Sequence, residues 1–420
     1  MIVDRYTPMN LFALVPKLAA DFEPELRELD RLLDDDVVFQ RVKTDLARRS
    51  PHSLTAGRHS TPVEVILRLL VVKRLYHWSY EQTERFVADS LVLRQFCRVY
   101  LEAVPDDTTL IRWANLIGPK TVEQLNDRVV ELARSRKVTR GRKLRLDSMV
   151  VETNIHYPTD SRLLGDGVRV LSRLFRRAKE VIGESVPVGK EVFRSRTRSV
   201  RRFAQQLHRV ARRKGEAAAE ELQGAYRKLI GIAAASRAQA EQVRDVLQAQ
   251  ADKTSRRLVE RLNHFLPLVE QAITQATRRV LEGEVVPAKE KLLSLFEPHT
   301  QVIKRHKAGK EVEFGRKLWL EEVDGGIVSG DRLLDEAGQD HAYLAESLAG
   351  HRRRFGQPAW LVTGDRGVAS PDNERLAKDA GVKRVGLPFS GRASPKRQEP
   401  ERQAWFRRGY RFRAGIEGRI

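Results

Sequence analysis

Three carboxylates stand where the chain could do metal chemistry. Asp147 opens the apolar, β-prone part of "RLDSMVVETNIHYPTDS", residues 145–161. Asp365 follows the short apolar run Trp360–Thr363 in "PAWLVTGDRGVASPDN", and Glu417 is the only acid after Glu401, in the closing stretch "AWFRRGYRFRAGIEGRI". Carboxylate oxygens suit Mg²⁺ or Mn²⁺, and two such ions can bind the attacking and leaving oxygens of a phosphoryl transfer. Taken singly, each acid is weak evidence, since a strand-end Asp is more often a structural cap. A separate grouping of His156, Asp160 and Asp166 has spacings that diagnose no metal site.

The elements that must position these acids can be read from pattern. Residues 1–135 are expected to be mostly helical. "TPVEVILRLLVVKRLYHW" begins with Thr61 as N-cap and Pro62 at the first helical position, and its dense apolar content predicts a helix inside a small bundle. Ser79 and Gln82 have capping-box spacing. Short helices through 91–99 and after "PDDTT" complete an array compatible with a helix-turn-helix-like DNA-binding unit or with a plain bundle. "ARSRKVTRGRKLR", 133–145, carries seven Lys or Arg and no acid, as a solvated linker or as a phosphate-contacting approach to the strand of Asp147.

From 164 to 306 the character changes. Leu222, Tyr226, Leu229 and Ile230, then Leu258, Val259, Leu262, Phe265 and Leu266, recur at three- and four-residue spacings. They predict long amphipathic helices, with Pro267 as a kink or break. β character returns at 311–330, with Asp324, Gly325 and Gly326 as a hairpin turn. Trp360–Thr363 then forms a buried strand, Ser370 caps a helix with Pro371 at its first position, Gly381 ends it, and Val382–Leu387 is a last strand. With 164–306 taken as an insertion, the order of elements describes a mixed α/β sheet with helices packed on it.

Composition limits the function. The formal charge is +21, from 77 Lys and Arg against 56 Asp and Glu, which favours a polyanionic partner without separating DNA from RNA or an anionic membrane surface. A single cysteine, Cys97, excludes an intrachain disulfide and any Cys-rich zinc module, and it reads as a small buried hydrophobe. No basic leader precedes the apolar part of "MIVDRYTPMNLFALVPKL", and no uninterrupted apolar stretch approaches a membrane-spanning length. The expectation is a basic soluble protein of a reducing compartment.

The three acidic segments together resemble the bacterial insertion-sequence transposases of the DDE class, especially the IS5-like and ISNCY-like groups. "LRLDSMVVETNIHYPTDSRLLGDGVRVLSR" looks like the segment with the family's first catalytic Asp, here Asp147, and "VTGDRGVASPDN" like the second, here Asp365. The tail follows the family's Tyr–x₂–Arg–x₃–Glu pattern as Tyr410, Arg413 and Glu417. "FGRKLWL", 314–320, resembles the intervening strand, and residues 60–118 look like the helical N-terminal region of these proteins.

The resemblance implies an RNase H-like fold in four parts: a helical N-terminal domain (1–135), the start of the catalytic domain (136–163), a helical insertion (164–306) and the rest of the catalytic domain (307–420). It implies that Asp147, Asp365 and Glu417 hold two divalent ions, Mg²⁺ or Mn²⁺. Arg413 would meet a phosphate or hold Glu417, and Tyr410 would stack or donate a hydrogen bond. The implied reaction cuts double-stranded DNA at element ends and joins the freed 3′-hydroxyl to target DNA, without a covalent protein–DNA intermediate. Self-association is expected of a protein that pairs two DNA ends, as is a cytoplasmic, nucleoid-associated location. Because the family pattern continues beyond its glutamate whereas this chain stops at Ile420, a C-terminally shortened catalytic domain is expected. The alternative is a defective derivative that binds DNA without cutting it.

Overall fold

The computed structural model describes residues 1–6, 22–50, 52–56, 59–183, 190–250, 252–307, 310–334, 340–388 and 395–416. It is a mixed α/β structure, 60% helical, with a mixed sheet. The chain divides into two compact units. The first comprises Met1–Asp147, Leu320–Asp331 and Gln339–Ile420, and the second Ser148–Trp319 with Arg332–Gly338.

Among its described residues the first unit carries helices α1 (Pro24–Leu33), α2 (Asp36–Ala47), α3 (Val63–Leu75), α4 (Tyr80–Asp89), α5 (Leu91–Phe96), α6 (Asp107–Ala114) and α7 (Pro119–Ser135). Helix α3 is buried around most of its circumference, as its dense apolar sequence predicts. Its Val65, Leu69 and Val72 join one cluster with Leu26 and Phe96, while Val63 and Ile66 join another with Val42, Leu46 and Trp113. Its start differs from expectation by one residue: Pro62 takes the N-cap position and Val63 begins the helix. The reason is that Val63 N–H donates to the Val3 carbonyl and Glu64 N–H to that of Asp4, so the extended N-terminal backbone does the work of a capping side chain. The Ser79–Gln82 capping box is present on α4. Arg68 is fully buried on α3 and reaches Asp30 (2.5 Å), Asp34 (2.8 Å) and the Phe96 carbonyl (3.2 Å), which ties α1 and α5 to it.

The strands are β1 (Lys143–Glu152), β2 (Gln301–Lys307), β3 (Lys310–Val323), β4 (Ile327–Leu333), β5 (Leu361–Thr363) and β6 (Arg384–Gly386). Hydrogen bonds order them β2-β3-β1-β5-β6, with β4 also on β3. In the first unit β1 pairs in parallel with β5, and β5 in parallel with β6. Strand β1 runs antiparallel to β3, because Asp324 N–H donates to Lys143 O near one end and Thr153 N–H to Phe314 O at the other. The β3–β4 hairpin turns at Asp324-Gly325-Gly326 as expected, with φ of 87° and 76° at the glycines. A side chain at 325 would also meet the Val138 carbonyl at 2.5 Å, so only glycine fits on both counts. The Asp324 carboxylate accepts from Arg140 and Lys143 N–H at 3.0 and 2.9 Å, and although burial alone would raise its pKa, these bonds hold it below the ordinary value.

Helices α12 (Leu344–Phe355), α13 (Pro371–Asp379), α14 (Pro395–Arg402) and α15 (Ala404–Ala414) complete the first unit. Ser370 Oγ accepts from Asn373 N–H with Pro371 at the start of α13, and Gly381 follows that helix at φ 91°, both as the sequence predicts.

The second unit carries four long helices around one apolar core: α8 (Asp160–Ile182), α9 (Thr197–Val210), α10 (Glu216–Gln248) and α11 (Lys253–Ala276). Leu164, Leu171 and Phe175 of α8, Leu229 and Val243 of α10, and Leu262 and Val269 of α11 are almost wholly buried. Full burial of one such side chain contributes about 1.5–3 kcal/mol. Pro267 does not break α11. Its ring removes one backbone hydrogen bond, but Leu262, Phe265, Leu266 and Val269 are buried on both sides of it and hold the helix together.

Candidate active site

The first unit brings several of the expected site residues to one end of its parallel strands. The β1–β5 register pairs Lys143 with Leu361, Leu144 with Val362 and Arg145 with Thr363. Asp147 and Asp365 therefore each lie two residues beyond the last pair of two strands about 4.8 Å apart, Asp147 midway along β1 and Asp365 in the turn after β5. Asp365 thus sits at a strand end, where ligands collect in α/β sheets because loops gather side chains from several strands.

Asp147 is only 6% exposed and accepts from Arg413 Nη2 at 2.8 Å. The arginine comes from α15, whose other contacts explain how it arrives there. Gly409 brings α15 close to β5: a Cβ at that position would sit 3.2 Å from Thr363 Cγ2 and 3.6 Å from Leu361. At the far end of the helix, Arg145 of β1 donates to the Phe412 carbonyl, and its guanidinium lies 4.7 Å from the centre of the Phe412 ring. The same guanidinium is ion-paired with Glu322 of β3, a fully buried carboxylate. Arg145 and Asp147 are two apart on one strand and so share a face, one anchoring the end of α15 and the other meeting its Arg413.

Asp365 is half-buried in the turn after β5, where its Oδ1 accepts from Gly367 N–H at 2.9 Å and Val368 N–H at 3.1 Å. A second carboxylate is close: a Cβ at 367 would be 3.2 Å from both Asp365 Oδ1 and Asp340 Oδ2. Asn373 fixes this corner by donating to the carbonyls of His341 (2.8 Å) and Val368 (2.7 Å). Tyr410 is on α15 with 48% of its surface exposed, and Glu417 lies outside the described residues.

Carboxylate oxygens are the donors a hard divalent cation takes, and Asp147, Asp365 and the neighbouring Asp340 supply that chemistry. One oxygen of Asp147 is engaged by Arg413. Among the described residues, no cluster of three or more His, Cys, Asp or Glu has metal-site geometry. The other grouping weighed from sequence does not form a cluster: Asp160 is bound to Gln275 (2.9 Å) and Arg279 (3.1 Å), Asp166 is ion-paired with Arg169, and His156 is exposed.

Arg145, Glu322 and Asp340 were not found by reading the sequence. The available signal for the first two was charge alternating with or interrupting apolar residues in "KLRL" and "LWLEEV". Asp340 carried no comparable signal.

Residues 13–116 match the family model described as Transposase domain (DUF772). No curated protein and no solved structure matches the chain. The matched segment, about a quarter of the chain, includes α1–α6 and supports a transposase family and a transposase function in general.

Proposed function

We propose that the chain is a DDE-class transposase of the IS5-like or ISNCY-like kind, which cuts DNA at the ends of an insertion sequence and transfers the cut strand to a target. The observation that carries this reading is the β1–β5 register, with Asp147 and Asp365 at equivalent positions two residues past the last pair and Arg413 bound to Asp147. Further support comes from the sheet. A central β1 with an antiparallel hairpin on one side and two parallel strands on the other is the arrangement expected of an RNase H-like fold.

In this reading Asp147, Asp365 and Glu417 hold two divalent ions, Mg²⁺ or Mn²⁺, which would supply an activated water and charge neutralisation at the scissile phosphate. The chain's own residues do the positioning. Asp147 offers a carboxylate fixed on a buried strand, and Arg413 sets its orientation and brings a positive charge to where a phosphate would lie. The Asp365 turn directs the second carboxylate from β5. Arg145 and Glu322 hold the end of α15, so that the segment leading to Glu417 leaves the helix beside β1. Tyr410, exposed on the same helix, is available to stack or donate to DNA.

The test is Mg²⁺-dependent nicking of supercoiled DNA by the full chain, with products scored for hydrolysis and for strand joining. Asp147→Asn and Asp365→Asn should each lower cutting by at least about 100-fold, the usual scale for removing a principal electrostatic group from an active site. Cutting that survives both substitutions would sink the proposal. Binding without any cutting would favour the DNA-binding derivative, and cutting without joining would indicate a nuclease.

A further inference from the structure

The second unit contains a groove of about 1480 Å³ along α8, α9 and α10. Its rim carries Arg162 and Arg169 from α8, Arg198, Arg201 and Arg209 from α9, and Arg279 just beyond α11. All six are exposed, and among the described residues no carboxylate lines the groove. Arg169 and Arg279 are neutralised by Asp166 and Asp160, but Arg162, Arg198, Arg201 and Arg209 have no acidic partner among the described residues. The sequence concentrates charge at this point: residues 194–214 hold nine Lys or Arg and no acid. Helix α9 buries Val200, Leu207 and Val210 in the core and turns its arginines outward, so packing sets their direction.

Like charges crowded on a concave surface repel one another, and an anion in the groove relieves that repulsion. The shape of the array selects the anion. A small phosphate needs donors that converge on a point, whereas Arg201 and Arg209 are spread over about 12 Å of helix and Arg162 and Arg169 over about 10 Å. Their spread matches a chain of phosphates. Thr159, Ser161 and Thr197 add neutral hydroxyl donors beside the cations.

We propose that this arginine-lined groove binds the phosphodiester backbone of duplex DNA. The choice of DNA over another polyanion rests on the transposase reading above, while the groove itself is independent of the carboxylate site. Each arginine acts as a positioning contact that carries no base information.

The experiment measures binding of the full chain to a short duplex in EDTA, by fluorescence anisotropy, across about 50 to 200 mM salt. Arg198→Gln/Arg201→Gln/Arg209→Gln should weaken binding at least tenfold and lower the slope of log K against log salt by about 2.7, three phosphates at roughly 0.9 each. The matching triple lysine variant should retain most of the slope. If the glutamine triple loses its helical circular dichroism, Arg201→Gln alone is read, with an expected slope change of about 0.9. An unchanged affinity and slope overturns the proposal, as does preferential binding to anionic vesicles or RNA over the duplex. Arginine-dependent DNA binding in a protein that never cuts would keep this inference and remove the one above. Asp147-dependent cutting with no arginine dependence would do the reverse.

Discussion

Glu322 and Arg145 exemplify a pair whose value lies in what it holds. Removing one member of a buried ion pair strands the other charge, so Glu322→Ala should lower unfolding free energy by about 3–5 kcal/mol, read from urea denaturation. Replacing both by apolar residues of similar size, Arg145→Met with Glu322→Leu, should recover much of that loss but not the donor to the Phe412 carbonyl. DNA cutting should therefore stay impaired in the double variant even where stability returns. His351 supplies a different residue-scale test. It is 1% exposed on α12 and stacked on Phe355, and burial pushes its pKa down from 6.5 to about 4. The unfolded chain thus takes up a proton at a higher pH than the folded one. Stability present above the ordinary histidine value should be lost as pH falls from there through about 4, by roughly 3 kcal/mol, and His351→Phe should flatten that slope. Reading the sequence singled out Asp147 and Arg413, each from its own motif, and the fold brings them into contact across 266 positions. The Arg145–Glu322 pair, 177 positions apart, belongs to no motif, and only the sheet reveals it.

At the level of elements, what was legible was what is encoded locally. The Ser79 capping box, the Ser370-Pro371 helix start and the Asp324-Gly325-Gly326 turn each need only a few adjacent residues, and each is observed. The start of α3 was misread by one residue, and of the kink or break expected at Pro267 the break does not occur, because distant parts of the chain decide both: core packing keeps α11 continuous, and the carbonyls of Val3 and Asp4 cap α3. Gly409 is similar, since nothing beside it in sequence shows that β5 lies against it. Gly409→Val would press branched methyls toward Thr363 and Leu361 and shift α15 off the strand. Overpacking of this kind should cost about 1–3 kcal/mol in a thermal or urea melt. It should also reduce cutting more than an equally destabilising substitution in α10, because Arg413 moves with α15.

Across the whole molecule, the excess positive charge is the property most directly readable from composition, and part of it lines the groove of α8, α9 and α10 in the second unit. No helix among the described residues is long and apolar enough to cross a membrane. The division into units was harder to read, because both are discontinuous in sequence and the passage from one to the other falls inside β1, between Asp147 and Ser148. That interruption has a consequence for biosynthesis. Strand β1 leaves the ribosome about 200 residues ahead of its parallel partner β5, a delay of about 10–40 s at ordinary elongation rates. Most of the second unit emerges within that interval, while the first still lacks its closing segment. The nascent chain must therefore keep one side of β1 from pairing wrongly while the helices assemble, and trigger-factor-like holding activity or slowed translation at this stage should raise the yield of native protein.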